Sequence, residues 1–291
     1  MLQINKIHQG DCMELMQHIP DKSVDMILCD LPYGTTACEW DKVLPLDELW
    51  KQYKRILKED GVVVLTASQP FTTDLINSNR DWFRYCWVWD KGLGGNIFLA
   101  DTQPMKIHED IIVFSKGKKY YPIKTTQKLR KIRNNGMNKS AFGSFDKYQG
   151  GETTELNPKT IIYFPNTNRK NITHPTEKPV PLFRYLIKTY TNEGELVLDN
   201  CIGSGTTAVA CKQTNRNFIG IELNQEYVDV ANKRLKQDNL HAFFQTQGVL
   251  TEPSPNRNLK DLSTDKSQIS ANAETSLNSD IKLNRGFVLQ R

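Results

Sequence analysis

The chain has 291 residues, 38% of them apolar and 24% charged, with a formal net charge of +5. That length and balance fit one large α/β domain, or a domain with insertions, and exclude a chain disordered throughout. No apolar stretch approaches the roughly 18 residues that cross a bilayer. The start MLQINKIHQGD lacks the basic, apolar leader of a secreted protein, so the cytoplasm is the expected location. The six cysteines, at positions 12, 29, 38, 86, 201 and 211, show neither CxxC spacing nor His/Cys clusters. They read as free thiols in a reducing compartment, and no metal site is expected.

Residues 1–115 alternate short β-type runs with helical patterns. VDMILCD (24–30) and GVVVLTAS (61–68) are continuous apolar runs, as buried parallel strands are. Between them LDELWKQYKRILKEDG sets Leu46, Leu49, Trp50, Tyr53 and Leu57 at helical spacing, and Gly61 reads as the stop. WFRYCWVWDK (82–91) and EDIIVFSK (109–116) add two strands. The pattern is βαβ, with right-handed connections. The first strand ends on Asp30, Leu31, Pro32 and Tyr33. An acidic oxygen and a nearby backbone carbonyl make a pair of acceptors, and the tyrosine adds a flat face. That set suits an aromatic ring with an exocyclic amino group, such as adenine N6 or cytosine N4. Hydrogen bonds to Asp30 and the Leu31 carbonyl would favour a pyramidal nitrogen whose lone pair could attack a methyl sulfonium.

Residues 116–173 differ. Nine Lys/Arg lie between Lys116 and Lys139 and no acid falls between Ile111 and Phe145, so the rest of the chain sums to −4. The segment is rich in Asn, Gly and Thr, interleaved with aromatics, and weakly periodic: an irregular basic insertion. It fits a polyanionic partner or a solvated loop equally well.

From Lys178 regularity returns. KPVPLFRYLIKTYT is a proline-opened helix with Leu182, Phe183, Leu186 and Ile187 inward. Next come strand, glycine loop, helix, strand and helix. Gly203, Ser204 and Gly205 would let backbone approach a ligand closely, with helix-start N–H groups facing it. Glu222 ends the following strand, placed to accept from ribose hydroxyls. Gly203-x-Gly205-x-x-Ala208 also satisfies the dinucleotide pattern, so the loop by itself leaves NAD and S-adenosylmethionine (SAM) open. Residues 251–291 are polar and read as a disordered tail.

DLPY resembles the catalytic motif of amino-methylating DNA methyltransferases, [D/N/S]-P-P-Y, and LDNCIGSGTT resembles their SAM-binding motif. Catalytic motif first, basic insertion second and SAM loop last is similar to the β arrangement of that family. The match covers roughly residues 5–240. It implies a Rossmann-like, mostly parallel α/β sheet with helices on both faces. It also implies a catalytic half at 1–115, target recognition in 116–173 and a SAM-binding half at 174–240. HQGDC resembles the family's adenine-contacting Gly-Asp, implicating Asp11 and Cys12. HPTEKP resembles the segment before the SAM loop and implicates Lys178, beside Asp199, Gly203, Ser204, Gly205, Thr206 and Glu222. Leu31 replaces the usual proline, and Asn200-Cys201 the usual Pro-Phe.

The implied reaction is direct methyl transfer from SAM to a base swung out of double-stranded DNA, with Asp30, Leu31, Pro32 and Tyr33 as the target pocket. Asp at the head of the motif is more typical of adenine enzymes, so adenine N6 is expected and cytosine N4 is the alternative. Candidate DNA contacts are Lys128, Arg130, Lys131, Arg133, Asn134 and Asn135. A cognate restriction endonuclease is a partner the resemblance implies, and the oligomeric state stays open between monomer and homodimer. Rival readings are a nicotinamide-dependent oxidoreductase, which leaves Asp30–Tyr33 unexplained, and a non-catalytic DNA-binding protein. Transfer to RNA or protein is a further alternative.

Overall fold

The computed structural model describes residues 1–35, 41–132, 139–140, 143–144, 151–166 and 177–245. Arg133, Asn134, Asn135, Cys38, His174 and the 251–291 segment lie outside them. In chain order the elements are β1 (Lys6–Gln9), α1 (Cys12–Leu15), β2 (Val24–Cys29), α2 (Leu46–Ile56), β3 (Leu57–Ala67), α3 (Phe71–Ser78), β4 (Phe83–Gly95) and β5 (Lys106–Phe114). Then come β6 (Thr125–Ile132), β7 (Lys139–Ser140), β8 (Gly143–Ser144), β9 (Gly151–Leu156) and β10 (Ile161–Tyr163). The chain closes with α4 (Val180–Tyr190), β11 (Leu196–Asp199), α5 (Thr206–Gln213), β12 (Asn217–Glu222) and α6 (Gln225–Gln245).

Among the described residues the main sheet runs β1-β12-β11-β2-β3-β5-β4-β10. All neighbours pair parallel except β5, which runs against both β3 and β4. β2 is buried throughout, and apolar but for Asp25, because helices cover both faces and leave no solvent side to alternate with. Met26, Leu28, Val62 and Val64 pack with the inner faces of α4 and α5. Ile27, Cys29, Val63 and Leu65 pack with Leu49, Trp50, Tyr53 and Ile56 of α2 and Phe71 and Leu75 of α3.

Two local expectations change. The helix read through to Gly61 stops at Ile56, and Leu57 is already extended, seated opposite Val24 in the sheet. Gly61 is therefore a strand glycine, and a Cβ there would lie 2.6 Å from the Leu57 side chain. The strands at 83–95 and 106–114 form an antiparallel hairpin rather than a βαβ unit, because the connection between them carries only one short turn.

The basic segment contains regular pairing that weak periodicity hides. β6 and β9 form an antiparallel ribbon, with Arg130 opposite Thr153 and Lys131 opposite Glu152. β10 pairs with β4 and so belongs to the main sheet. The Lys119 side chain is buried and bridges Glu195 at 2.8 Å and Asp25 at 3.5 Å, so this cation anchors the segment's start.

β2 and β11 lie side by side, yet the chain leaves one toward β3 and the other toward β12. Their C-terminal ends therefore open a crevice at the point where strand order reverses, where ligands of open α/β sheets bind.

Candidate active site

β2 delivers Asp30 to that crevice. Its Oδ1 accepts the Tyr33 hydroxyl at 2.7 Å and the Thr66 hydroxyl from the end of β3. Its Oδ2 accepts from the Lys178 ammonium at 2.6 Å. The same ammonium lies 3.5 Å from Glu109 Oε2 and 5.6 Å from the centroid of the Tyr33 ring. Glu109 also binds Lys91 at 3.0 Å. Tyr33 stacks on Phe71 with centroids 5.4 Å apart, and Asp41 holds the following turn through the Gly34 and Thr35 amides.

The electrostatics follow from this enclosure. Burial, reinforced by the Asp30 charge, pushes the Tyr33 phenol up, so it stays a neutral donor. Burial alone would lower Lys178, but Asp30 and Glu109 outweigh it and hold the ammonium above its ordinary range. Burial pushes Glu109 up, yet Lys178 and Lys91 overcome that and leave it below the usual carboxylate range.

Across the crevice, Gly203 and Gly205 have φ of +51° and +86°, which only glycine adopts freely. A Cβ at Gly203 would point into open space, whereas one at Gly205 would meet Ala231 at 2.7 Å. Gly203 thus keeps the cavity wall open, and Gly205 lets α6 pack behind it. Glu222 accepts from the amides of Gly203 and Asn224, both at 2.9 Å. Asp11 caps α1 through Oδ1 on the Met13 amide at 2.7 Å. Asp199 accepts the Cys201 amide at 3.1 Å and the Thr207 hydroxyl, and burial pushes its carboxyl up to about 7. Arg234 grips the Ser204 carbonyl at 2.8 Å and Glu177 at 2.9 Å, fixing the loop to the segment carrying Lys178.

Both halves face one cavity of about 400 Å³, within the size range of small-molecule sites. Asp30, Leu31, Pro32 and Tyr33 line one side. Asp11, Cys12, Asp199, Gly203, Ser204, Thr206 and Glu222 line the other, and Lys178 reaches between them. Gly205 sits behind the wall. Lys128, Arg130 and Lys131 lie exposed on β6, and none of them lines the cavity. Cys12, Cys29 and Cys201 are held as neutral thiols: mutual hydrogen bonding leads for Cys12 and burial leads for Cys29. Among the described residues no group of His, Cys, Asp or Glu is placed to hold a metal.

Thr66, Phe71, Glu109, Glu177 and Arg234 were not anticipated. The available signals were Glu177 inside HPTEKP and Glu109-Asp110 set directly against the apolar run Ile111–Phe114, an acidic pair at the edge of the strand's buried half.

The family model of N6/N4 DNA methylases matches residues 24–233. Type II methyltransferase M1.MboII of Moraxella bovis is 30% identical over 81% of this chain and 98% of its own length. Type II methyltransferase M.HpaI of Haemophilus parainfluenzae is 28% identical over 79% and 73%. The crystal structure of M1.HpyAVI in complex with SAM superimposes with a TM-score of 0.53 at 26% identity, covering 79% of this chain and 98% of that one. The cytosine-N4-specific PvuII DNA methyltransferase, at 17% identity and a TM-score of 0.57 over 78% and 85%, shares the fold. With its expected motifs gathered at one strand-end crevice, this chain belongs to the N6/N4 DNA methylase family.

Proposed function

We propose that the protein methylates the exocyclic N6 of adenine in double-stranded DNA, with SAM as donor. The observation that carries this is Lys178. Its ammonium sits against Asp30 Oδ2 and over the Tyr33 ring, in the cavity that also holds the glycine loop. A positively polarised N–H group is thus already at home where a target amino group would sit.

The residues present fit SAM. Asp11 and Glu222 offer carboxylate lone pairs to hydroxyl or amino donors, and Gly203 leaves backbone open where a side chain would fill the space. When bound, SAM supplies an electrophilic methyl on a sulfonium. The chain's own residues prepare the nucleophile. A base swung out of the duplex stacks on Tyr33, which Phe71 backs. Its amino N–H groups bond to Asp30 and to the Leu31 carbonyl, freeing the nitrogen lone pair. Lys178 yields Asp30 to the base and turns toward Glu109. Asp30 then balances the charge that grows on nitrogen, the methylated nitrogen releases one amino proton to solvent, and holding the reactants in line supplies much of the acceleration. No covalent enzyme–base bond is needed, in keeping with neutral, buried thiols.

The acid at the head of Asp30–Tyr33 favours adenine over cytosine. Residues 116–173, with the β6–β9 ribbon, supply target recognition. A cognate restriction endonuclease fits the Type II naming of the relatives. Incubating DNA with labelled SAM and analysing the nucleosides tests the reading. N6-methyladenine is expected; N4-methylcytosine would reassign the base, and label only in RNA or protein would overturn the substrate.

A further inference from the structure

The β4–β5 hairpin continues past the catalytic cluster. Glu109 pairs with Trp89 across it, and its carboxylate touches Lys178. From Asp90 the strand runs on to Gly95, which at about 3.3 Å per residue carries the tip on the order of 15 Å beyond that level. The first turn of the tip, Ile97–Ala100, is apolar where turns are usually polar, and Asn96, Asp101, Thr102 and Gln103 flank it. Ile97 is 67% exposed, Phe98 99% and Leu99 45%, with Leu93, Met105 and Ile107 exposed below them. It is also an ordered turn: Leu99 N–H donates to Asn96, Ala100 to Ile97 and Gln103 to Leu99, at 2.9–3.1 Å. Gly94 leaves no room for a Cβ because Met105 covers it at 2.6 Å. A fully exposed phenylalanine on a fixed turn forgoes one of the larger burial gains a side chain offers, and an apolar patch of this kind marks a contact surface.

Its place on the hairpin whose Glu109 reaches the target pocket says what it contacts. We propose that the hairpin tip is a wedge for the DNA stack, and that Phe98 fills the space the expelled base leaves. This rests on the reading of the site as a base-methylating pocket. Apolar side chains inserted between base steps are an established way to hold a distorted duplex, and an expelled base leaves unstacked neighbours that a ring can cover. Lys106, opposite Gly95 at the neck, adds a cation for the backbone, while Asp101 beyond the tip keeps the loop from being strongly basic.

The test compares Phe98→Ala and Phe98→Met with the natural protein on two duplexes containing the methylated site, one fully paired and one mismatched at the target base. A mismatched base costs least to expel, so the Phe98→Ala loss in kcat/KM should be about tenfold or more on paired DNA and shrink to about threefold on the mismatch. Phe98→Met should recover part of the loss. SAM binding by calorimetry should be unchanged in both variants, which separates the effect from misfolding. An equal loss on both duplexes, or none, overturns the wedge. So does a shift in sedimentation showing that Phe98 joins two copies of the chain. Absence of DNA methylation by the natural protein would instead sink the functional reading itself.

Discussion

Lys178 carries its ammonium 2.6 Å from Asp30 and 3.5 Å from Glu109, so both part-buried carboxylates meet one cation. Asp30 was legible because its partners Pro32 and Tyr33 follow in the next three positions, and local order survives in a string of letters. Glu109 was not, because it reaches Lys178 only through β5 pairing against β3 and β4. If Asp30 acts on the transition state, Asp30→Ala should lower kcat about 10²–10³-fold, the scale of losing a preorganised electrostatic partner. Calorimetric SAM affinity should stay within a few-fold. A loss confined to SAM binding would place Asp30 in the cofactor site instead. A second residue-scale prediction concerns Asp199, whose buried carboxyl is pushed up to about 7. The native state then keeps a proton that the unfolded chain, near pKa 3.9, releases, so stability falls as pH rises from about 4 to 7. Chemical melts should show Asp199→Asn lacking that slope, a difference of up to about 4 kcal/mol at pH 7. Parallel pH profiles for the two proteins would refute it.

Strands and helices were readable where one physical demand set the pattern: continuous apolar runs for β2 and β3, one inward stripe for α2 and α4. What stayed hidden was direction and close approach. Nothing in residues 82–116 says that the second strand returns beside the first, and Gly61 looks like a helix stop until Leu57 is seen packed against it. Gly205 shows the same principle in a testable form. Its φ of +86° and the 2.7 Å from its would-be Cβ to Ala231 both forbid a side chain between loop and α6. Gly205→Ala should therefore cost about 1–3 kcal/mol from strained backbone, plus whatever the displaced α6 adds. Gly151 on β9 has nothing within 4 Å of its Cβ position, so Gly151→Ala should be neutral or gain up to about 1 kcal/mol. Thermal unfolding of the two variants side by side measures the contrast, and equal melting temperatures would refute it.

At the scale of the molecule, a catalytic strand end and a glycine loop some 170 positions apart meet because β2 and β11 are neighbours. Motif order hinted at that meeting, since chain order and chemistry agreed, but only sheet order produces it. Charge behaves differently: the basic run was plain in the sequence, while the division of labour within it was not. Lys119 is spent internally, its side chain only 4% exposed between Asp25 and Glu195, while Lys128, Arg130 and Lys131 stand exposed on β6. The two groups should therefore fail in opposite ways. Removing Lys119 takes away the 2.8 Å partner of Glu195, while Asp25 keeps Lys58 at 2.8 Å, so Lys119→Met should cost about 1–3 kcal/mol of stability. Replacing Lys128, Arg130 and Lys131 with alanine should leave the melting temperature alone and weaken DNA binding at every sequence tested. Each phosphate that a missing cation no longer neutralises makes the plot of log affinity against log salt shallower by about 0.9, so the triple variant's slope should fall by up to about 3. Titrations at several salt concentrations decide it. An unchanged slope would mean that these three cations only solvate the ribbon, and that the polyanion docks elsewhere.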